Sequence, residues 1–308
     1  NDFNFTFRVG VSDLMEDVNF VAGMRFGTSL ADKDLLLSFQ NNRKKLDWGL
    51  TYYRSNITNF YNTQFNNMLY TNLYQGNITY PINEVKSIRA TIGLRSDRGV
   101  LKSFDNVAGQ PNPNALAFRD TVSKYILSRL EYVHDNTINP TQNIWNGLRY
   151  KVYLDINMPT QKTALNNGKA TMNFGFDGRY YHKIYRNFIW AGRVAADFSW
   201  GNQKLIYYLG GVDGWIGPKF NNGNQPAADQ SYAFQSLAVN MRGYRQNIAN
   251  GNNAFVINSE FRLPLFSTLF DRPINNAFLR NFQLVQFLDL GTAWNGKYNG
   301  IKRPGEVI

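Results

Sequence analysis

Apolar and polar residues alternate one by one through most of the chain. In the segments 148–158 and 188–200, one set of alternate residues is almost wholly apolar, while the other set carries Arg, Lys and Asp side chains. Successive side chains of a β-strand point to opposite faces of a sheet, so a period of two indicates strands with two unlike faces. The pattern therefore predicts an all-β fold.

Long strands joined mainly by short turns are predicted, as in an antiparallel meander. Many of them reach the ~9–11 residues that a tilted transmembrane strand needs. Longer connections are expected at 102–120 and 210–251. The predicted strands, roughly thirteen in all, cover residues 3–12, 17–28, 33–41, 46–58, 67–80, 86–97, 122–134, 146–158, 168–182, 186–200, 203–211, 252–265 and 281–294.

Composition favours a sheet embedded in a membrane. The 308 residues include 23 Phe and 18 Tyr, yet the mean hydropathy is −0.41 and no segment is long and apolar enough for a transmembrane helix. These features are typical of a transmembrane β-barrel, although a soluble β-sandwich shares the periodicity and stays open as an alternative. In a barrel, the faces with Leu154 and Phe198 meet lipid, and the faces with Asp155 and Arg193 line the lumen.

Charge and rare residues disfavour several classes of function. The formal net charge is +11, but Lys and Arg are scattered along the strands and no nucleic-acid-binding module is recognisable. The densest basic run, at 43–45, is interpreted as a solvated turn or a contact to lipid phosphates. Cys is absent, and His134 and His182 lie on different predicted strands, so no metal site is expected. Without a nucleophile–base pattern or a phosphate loop, we predict neither an enzyme nor a cofactor.

One ordered set of residues carries candidate chemistry. Arg242-Gly243-Tyr244 lies in a Gly/Asn-rich segment ahead of two strands that contain Glu260 and Asp289. The strand period sends both carboxylates into the lumen from neighbouring strands, where they need a cation or water. Arg242 can supply a planar guanidinium, and Gly243 allows a sharp backbone turn beside it. We expect Arg242 to lie within hydrogen-bonding reach of at least one acid.

This ordered set resembles the C-terminal half of the BamA/TamA superfamily of outer-membrane β-barrels, the bacterial surface antigen family. In that family an Arg-Gly-aromatic tip of the sixth extracellular loop folds back into the barrel and contacts acids on the following strands. The resemblance implies a lumenal loop lock made of Arg242, Gly243, Tyr244, Glu260 and Asp289.

The resemblance covers residues 205–294 and departs from the family pattern twice. Met241 stands where the family has a small branched residue, and 214–235 looks like an insertion. The segments 11–15 and 272–276 resemble a Bacteroidota branch in which the barrel often follows a TolB-like propeller.

The resemblance also implies a transmembrane antiparallel barrel of about sixteen strands when complete. Residues 1–308 are then expected to form one partial barrel domain, with later strands and any N-terminal soluble domain lying outside this chain. Counting the predicted strands places the Arg242 loop on the extracellular side. The connection 102–120 is then periplasmic, where barrels usually keep their turns short, so we expect either a miscounted strand or an unusual periplasmic loop.

The implied function is protein insertion and assembly in the bacterial outer membrane, or protein translocation across it. The alternatives are a membrane anchor for a soluble propeller or enzyme domain, and a passive channel. Implied partners are outer-membrane lipid, client or partner proteins, an N-terminal periplasmic domain and accessory lipoproteins. Repeated POTRA-like modules before the barrel would favour insertion, whereas a propeller would favour the anchor.

Overall fold

A computed structural model describes residues 4–27, 33–60, 65–103, 119–141, 143–162, 168–212, 219–225, 232–271, 274–298 and 300. Almost all of the regular structure is β. The strands are β1 (Asn4–Ser12), β2 (Val18–Gly27), β3 (Lys33–Asn41), β4 (Asp47–Phe60), β5 (Phe65–Asn83), β6 (Lys86–Ser103), β7 (Thr121–Asp135), β8 (Ile138–Thr141), β9 (Ile144–Pro159), β10 (Thr171–Tyr185), β11 (Phe188–Gly201), β12 (Lys204–Leu209), β13 (Tyr232–Val239), β14 (Ala249–Gly251), β15 (Asn253–Pro264) and β16 (Gln283–Trp294). Two short helices, α1 (Leu265–Leu269) and α2 (Ala277–Asn281), connect β15 to β16.

Thirteen strands form one antiparallel sheet, which confirms the predicted fold class. Its order is β1-β2-β3-β4-β5-β6-β7-β9-β10-β11-β15-β16, with β8 paired to β9 beside this path. Within the described ranges, the end strands β1 and β16 do not pair, so the sheet is not closed. No helix among these residues is long and apolar enough to span a membrane.

A separate three-stranded sheet corrects one predicted wall strand. Residues 204–209 form β12, which pairs in parallel with β13 and antiparallel with β14, while β11 pairs directly with β15. The prediction that 203–211 belongs to the wall is therefore wrong. The alternation there was read correctly as a strand, but periodicity does not reveal which sheet a strand joins.

This correction also changes the strand count. Between the connection 104–120 and the segment 202–252, the large sheet has four strands, β7, β9, β10 and β11. Each antiparallel strand carries the chain from one end of the sheet to the other, so four strands bring it back to the starting end. The connection 104–120 and the segment 202–252 therefore leave the same end of the sheet. The expectation of opposite ends is wrong. Residues 104–118 themselves lie outside the described residues.

Contacts within the chain define two units, and the first comprises 1–81, 88–130 and 156–170. One sheet face in this unit is polar: Ser55 and Tyr53 both donate hydrogen bonds to Asp34, which also pairs with Arg25, and Thr71 donates to Asp97 at 2.9 Å. The other face presents exposed apolar side chains, among them Phe20, Leu50, Tyr74, Ile78 and Ile92.

The second unit comprises 82–87, 131–155 and 171–308. Here one face of the large sheet, which we call the covered face, packs against the small sheet β12–β14. The buried core between them consists of Ala195, Tyr207, Leu209, Val239, Met241, Ala254 and Val256. The covered face also carries charge: Tyr153 donates to Asp197 at 2.7 Å, and Arg193 donates to Asp177 at 2.7 Å. The predicted inward phase of Arg193 is thus confirmed.

Candidate functional site

The candidate site lies where the segment between β13 and β14 meets strands β15 and β16. Asn258 is paired with Asp289 across the two strands, and Glu260 is paired with Phe287. Alternate residues share a face, so Asn258, Glu260, Phe287 and Asp289 all project from the covered face. The register therefore confirms that the two predicted acids stand on neighbouring strands and on one face.

Arg242 is held by Asp289 through three hydrogen bonds. The backbone N–H of Arg242 donates to Asp289 Oδ2 at 2.9 Å, Nε donates to the same oxygen at 2.9 Å, and Nη2 donates to Oδ1 at 2.7 Å. The Asp289 side chain is only 1% exposed. A planar guanidinium can make this paired contact, whereas an ammonium cannot. The contact fixes both the side chain and the backbone of the segment.

Glu260 receives two guanidinium groups. Arg242 Nη1 lies 2.5 Å from Glu260 Oε1, and Arg262 Nη2 lies 2.7 Å from Oε2. Arg262 also donates through Nε to Oε2 at 2.7 Å and through Nη1 to the carbonyl of Asn143 at 3.0 Å. Asn258 completes the network by donating from Nδ2 to Asp289 Oδ1 at 2.8 Å. Two arginines and two acids therefore balance each other across β15 and β16.

Phe287 lies against the Arg242 side chain from the β16 side. The guanidinium carbon of Arg242 is 4.0 Å from the centre of the Phe287 ring. A cation over an aromatic face is attracted by the ring quadrupole, and the planar guanidinium can stack there while its edges bond to the acids. The ring thus adds a third contact between the Arg242 segment and β15–β16.

The residues that follow Arg242 turn the chain back over the small sheet. Gly243 has a φ of +84°, a conformation that favours glycine, and no atom lies within 4 Å of the place where a Cβ would be. The carbonyl of Tyr244 accepts a hydrogen bond from the backbone N–H of Gly211 at 2.9 Å. Tyr244 also packs against the core between the two sheets. It therefore anchors the turn.

Met241 and Gly291 fit together directly beside this network. Met241 is buried, and a Cβ added to Gly291 would lie 2.7 Å from its sulfur, 3.1 Å from Val256 Cγ2 and 3.3 Å from Leu209 Cδ1. The lack of a side chain on β16 at this point is what admits a long residue before Arg242. Met241, which stands in place of the family's small branched residue, is therefore accommodated by the missing side chain at Gly291.

Similarity to solved structures places this geometry in a known fold. BamA from Haemophilus ducreyi, in a form lacking POTRA domains 1–3, aligns with a TM-score of 0.57 and 13% identity over 95% of this chain and 55% of that one. The chain shares the β-barrel fold of BamA. CdiB from Escherichia coli aligns with a TM-score of 0.43 and 9% identity over 88% of this chain and 46% of that one.

The likeness to BamA establishes the fold and no more. This chain spans about half the length of the BamA chain that it matches. No protein-family model and no curated protein matches the sequence. The fusion to a propeller stays a prediction, and residues 272 and 273, which contributed to it, lie outside the described residues.

Sequence reasoning named the centre of the site but gave no role to its surroundings. Arg242, Glu260 and Asp289 are brought together, while Gly243 and Tyr244 shape the turn. The roles of Asn258, Arg262, Phe287 and Gly291 were missed. Asn258 and Arg262 have the same phase as Glu260, so the alternation could have drawn attention to both. Of the proposed insertion 214–235, residues 214–218 and 226–231 lie outside the described residues.

A cavity of about 300 Å³ lies beside the network. Its lining includes four arginines, Arg179, Arg193, Arg242 and Arg262, together with Glu260. Within the part of the chain that the structure describes, no group of three His, Cys, Asp or Glu residues could hold a metal ion. The chemistry visible at this site is the pairing of charges that hold one chain segment on two strands.

Proposed function

We propose that this chain is the barrel of a BamA/TamA-type protein that inserts or translocates other proteins at the bacterial outer membrane. The observation that carries the proposal is the ion-paired contact from Arg242 to both Asp289 and Glu260, found within a BamA-like fold. On this view Arg242, Gly243, Tyr244, Glu260 and Asp289 act as a lock. The client proteins, the membrane lipids and any accessory proteins would be separate molecules that contact the barrel.

The proposed mechanism is physical and involves no covalent step. The lock ties the 240–244 segment to β15 and β16 of the large sheet. An edge strand presents unpaired N–H and C=O groups that can pair with a strand of another protein. By holding β15 and β16 in register, the lock would set how readily a weakly closed seam between the first and last strands of the complete barrel opens to a client strand.

A passive channel is the second candidate, and one observation counts against it. A channel needs a polar, water-filled interior. In the second unit, the covered face of β11, β15 and β16 instead packs against buried apolar residues of β12–β14, including Leu209 at 0% exposure. An anchor for a soluble domain is the third candidate, and it requires no client contact at all.

Reconstitution into liposomes tests these alternatives. The full-length protein would be given a urea-unfolded, eight-stranded outer-membrane barrel as a probe, and its folding would be followed by heat-resistant migration on gels. Efflux of an entrapped small solute would be measured in parallel. We expect the wild type to accelerate folding of the probe without solute efflux, and Arg242→Ala to change the folding rate. Arg25→Ala, which removes an exposed arginine on β2, serves as the matched control.

Each of the other outcomes supports a different candidate. Solute efflux without faster folding of the probe would support the channel. A barrel that inserts but does neither would support the anchor. Equal folding rates with wild type and Arg242→Ala would remove the lock from the mechanism while leaving insertion in place.

A further inference from the structure

An apolar trough runs along the exposed face of β4, β5 and β6 in the first unit. Two cavities, of about 450 and 550 Å³, share Leu50, Gly76 and Ile92 in their linings and so form one continuous depression. The first extends to Leu46 near the β3–β4 turn, and the second extends to Leu94. The lining of the first is almost wholly apolar, and that of the second is mainly so.

Missing side-chain volume creates this trough. Gly76 on β5 lies among large side chains of the apolar face, and a Cβ added there would be 3.7 Å from Leu50 Cδ2, an ordinary contact. Ala90 on β6 adds a second small residue to the lining. The floor of the trough is therefore low at Gly76 and Ala90. A larger side chain at 76 would fill the space without straining the backbone.

The end of the trough at the β3–β4 turn carries positive charge. Lys45 Nζ lies 4.8 Å from the centre of the Tyr80 ring, which places this cation at the mouth of the trough beside Leu46. Lys44 and Lys45 are both exposed, whereas the neighbouring Arg43 pairs with Asp13 at 3.5 Å. Lysine and tyrosine beside an apolar surface are typical of the boundary between hydrocarbon and headgroups.

We propose that this trough binds one acyl chain of an anionic phospholipid whose headgroup phosphate is held by Lys44 and Lys45. The proposal rests on the membrane location in the proposed function and adds a defined lipid site to it. An apolar trough selects a hydrocarbon chain, and the two lysines select a headgroup with net negative charge. The trough runs beside residues 46–52, roughly 20 Å at ~3.3 Å per residue. That length exceeds half of a hydrocarbon core of about 30 Å.

Native mass spectrometry of the detergent-purified full-length protein tests the site. Phosphatidylglycerol and phosphatidylethanolamine with identical acyl chains would be added in equal amounts, and the lipid that stays bound would be counted. We expect the wild type to retain phosphatidylglycerol preferentially. Lys44→Gln with Lys45→Gln should lower this retention by about fivefold per lysine. Gly76→Leu should lower the retention of both lipids by filling the trough.

Two controls separate the site from general effects. Lys33→Gln with Lys124→Gln removes the same charge at exposed positions outside the trough. Ala196→Leu places the same side chain on β11, in the second unit and outside the trough. Both controls should bind lipid as the wild type does. Equal retention of the two lipids by the wild type, or full retention by Gly76→Leu, would overturn the proposal. Failure of the protein to enter liposomes at all would overturn the membrane location instead.

Discussion

Arg242 donates three hydrogen bonds to Asp289, and one of them comes from its own backbone nitrogen. Asp289 is almost fully buried, and among its described neighbours Arg242 is the one cation that contacts it, while Asn258 adds a neutral donor. Glu260 is different, because it also pairs with Arg262. Loss of Arg242 would therefore leave Asp289 without a cation but leave Glu260 paired.

Arg242→Ala should destabilise the folded barrel, because it leaves the buried charge of Asp289 uncompensated. Breaking a buried pair by removing one partner costs about 3–5 kcal/mol. The Arg242 side chain is 23% exposed, so we expect a value near the lower end, about 3 kcal/mol. Arg242→Lys should restore only part of it, since an ammonium lacks the planar fork. Heat-resistant migration on gels and thermal unfolding would measure both variants.

Removing the unpaired carboxylate of Asp289 should restore part of the stability that Arg242→Ala loses. Arg242→Ala with Asp289→Asn should be more stable than Arg242→Ala alone, because no unpaired carboxylate stays buried. Arg242→Ala with Glu260→Gln should gain nothing, since it takes the acid away from Arg262. Thermal unfolding of the two double variants makes the comparison. Equal stability of the two double variants would show that Arg242 does not compensate the negative charge of Asp289.

The wall of the fold could be predicted from the sequence because each strand repeats a simple pattern. The predicted strand 33–41 agrees with β3, and most others differ from the structure by one to three residues. Phase alone also placed Glu260 and Asp289 on one face of neighbouring strands. These features depend on short-range alternation, which is visible in a single sequence.

The small sheet could not be predicted in this way. β12 pairs in parallel with β13, and the three-residue β14 is too short to show alternation. Asn247, fully buried with a φ of +61°, donates to the carbonyls of Asn221 and Asn224 and so shapes the chain before β14. The sequence shows only that this segment is rich in Gly and Asn, which predicts a loop but does not reveal such hydrogen bonds from side chain to backbone.

Gly291→Ala should destabilise the site through a clash with Met241. The added Cβ would meet the buried sulfur at 2.7 Å, and overpacking of this kind typically costs about 1–3 kcal/mol. Met241→Ala should rescue Gly291→Ala, because it removes the group that the new methyl meets. Thermal unfolding of the two single variants and the double variant would give the coupling between the residues.

The matched control for this pair is Gly23→Ala on β2. A Cβ at Gly23 would lie 3.8 Å from Leu36 Cβ, an ordinary contact, so this variant should be nearly neutral. If Gly291→Ala were as mild as Gly23→Ala, or if Met241→Ala made it worse, the fit between Met241 and Gly291 would not matter for stability.

The corrected strand count predicts which segments reach the same side of the membrane. The chain has no Cys, so Pro111→Cys, Asn222→Cys and Leu14→Cys each carry a single thiol. Residues 111 and 222 lie in connections that leave the same end of the antiparallel sheet, whereas the β1–β2 turn with Leu14 lies at the opposite end. With the Arg242 segment extracellular, a membrane-impermeant maleimide should label 111 and 222 in intact cells and label 14 only after permeabilisation. Labelling of 14 in intact cells, with 111 and 222 labelled only after permeabilisation, would mean that the Arg242 segment is periplasmic, but it would agree with the count of four strands. Labelling of only one of 111 and 222 would show that the count of four strands between them is wrong.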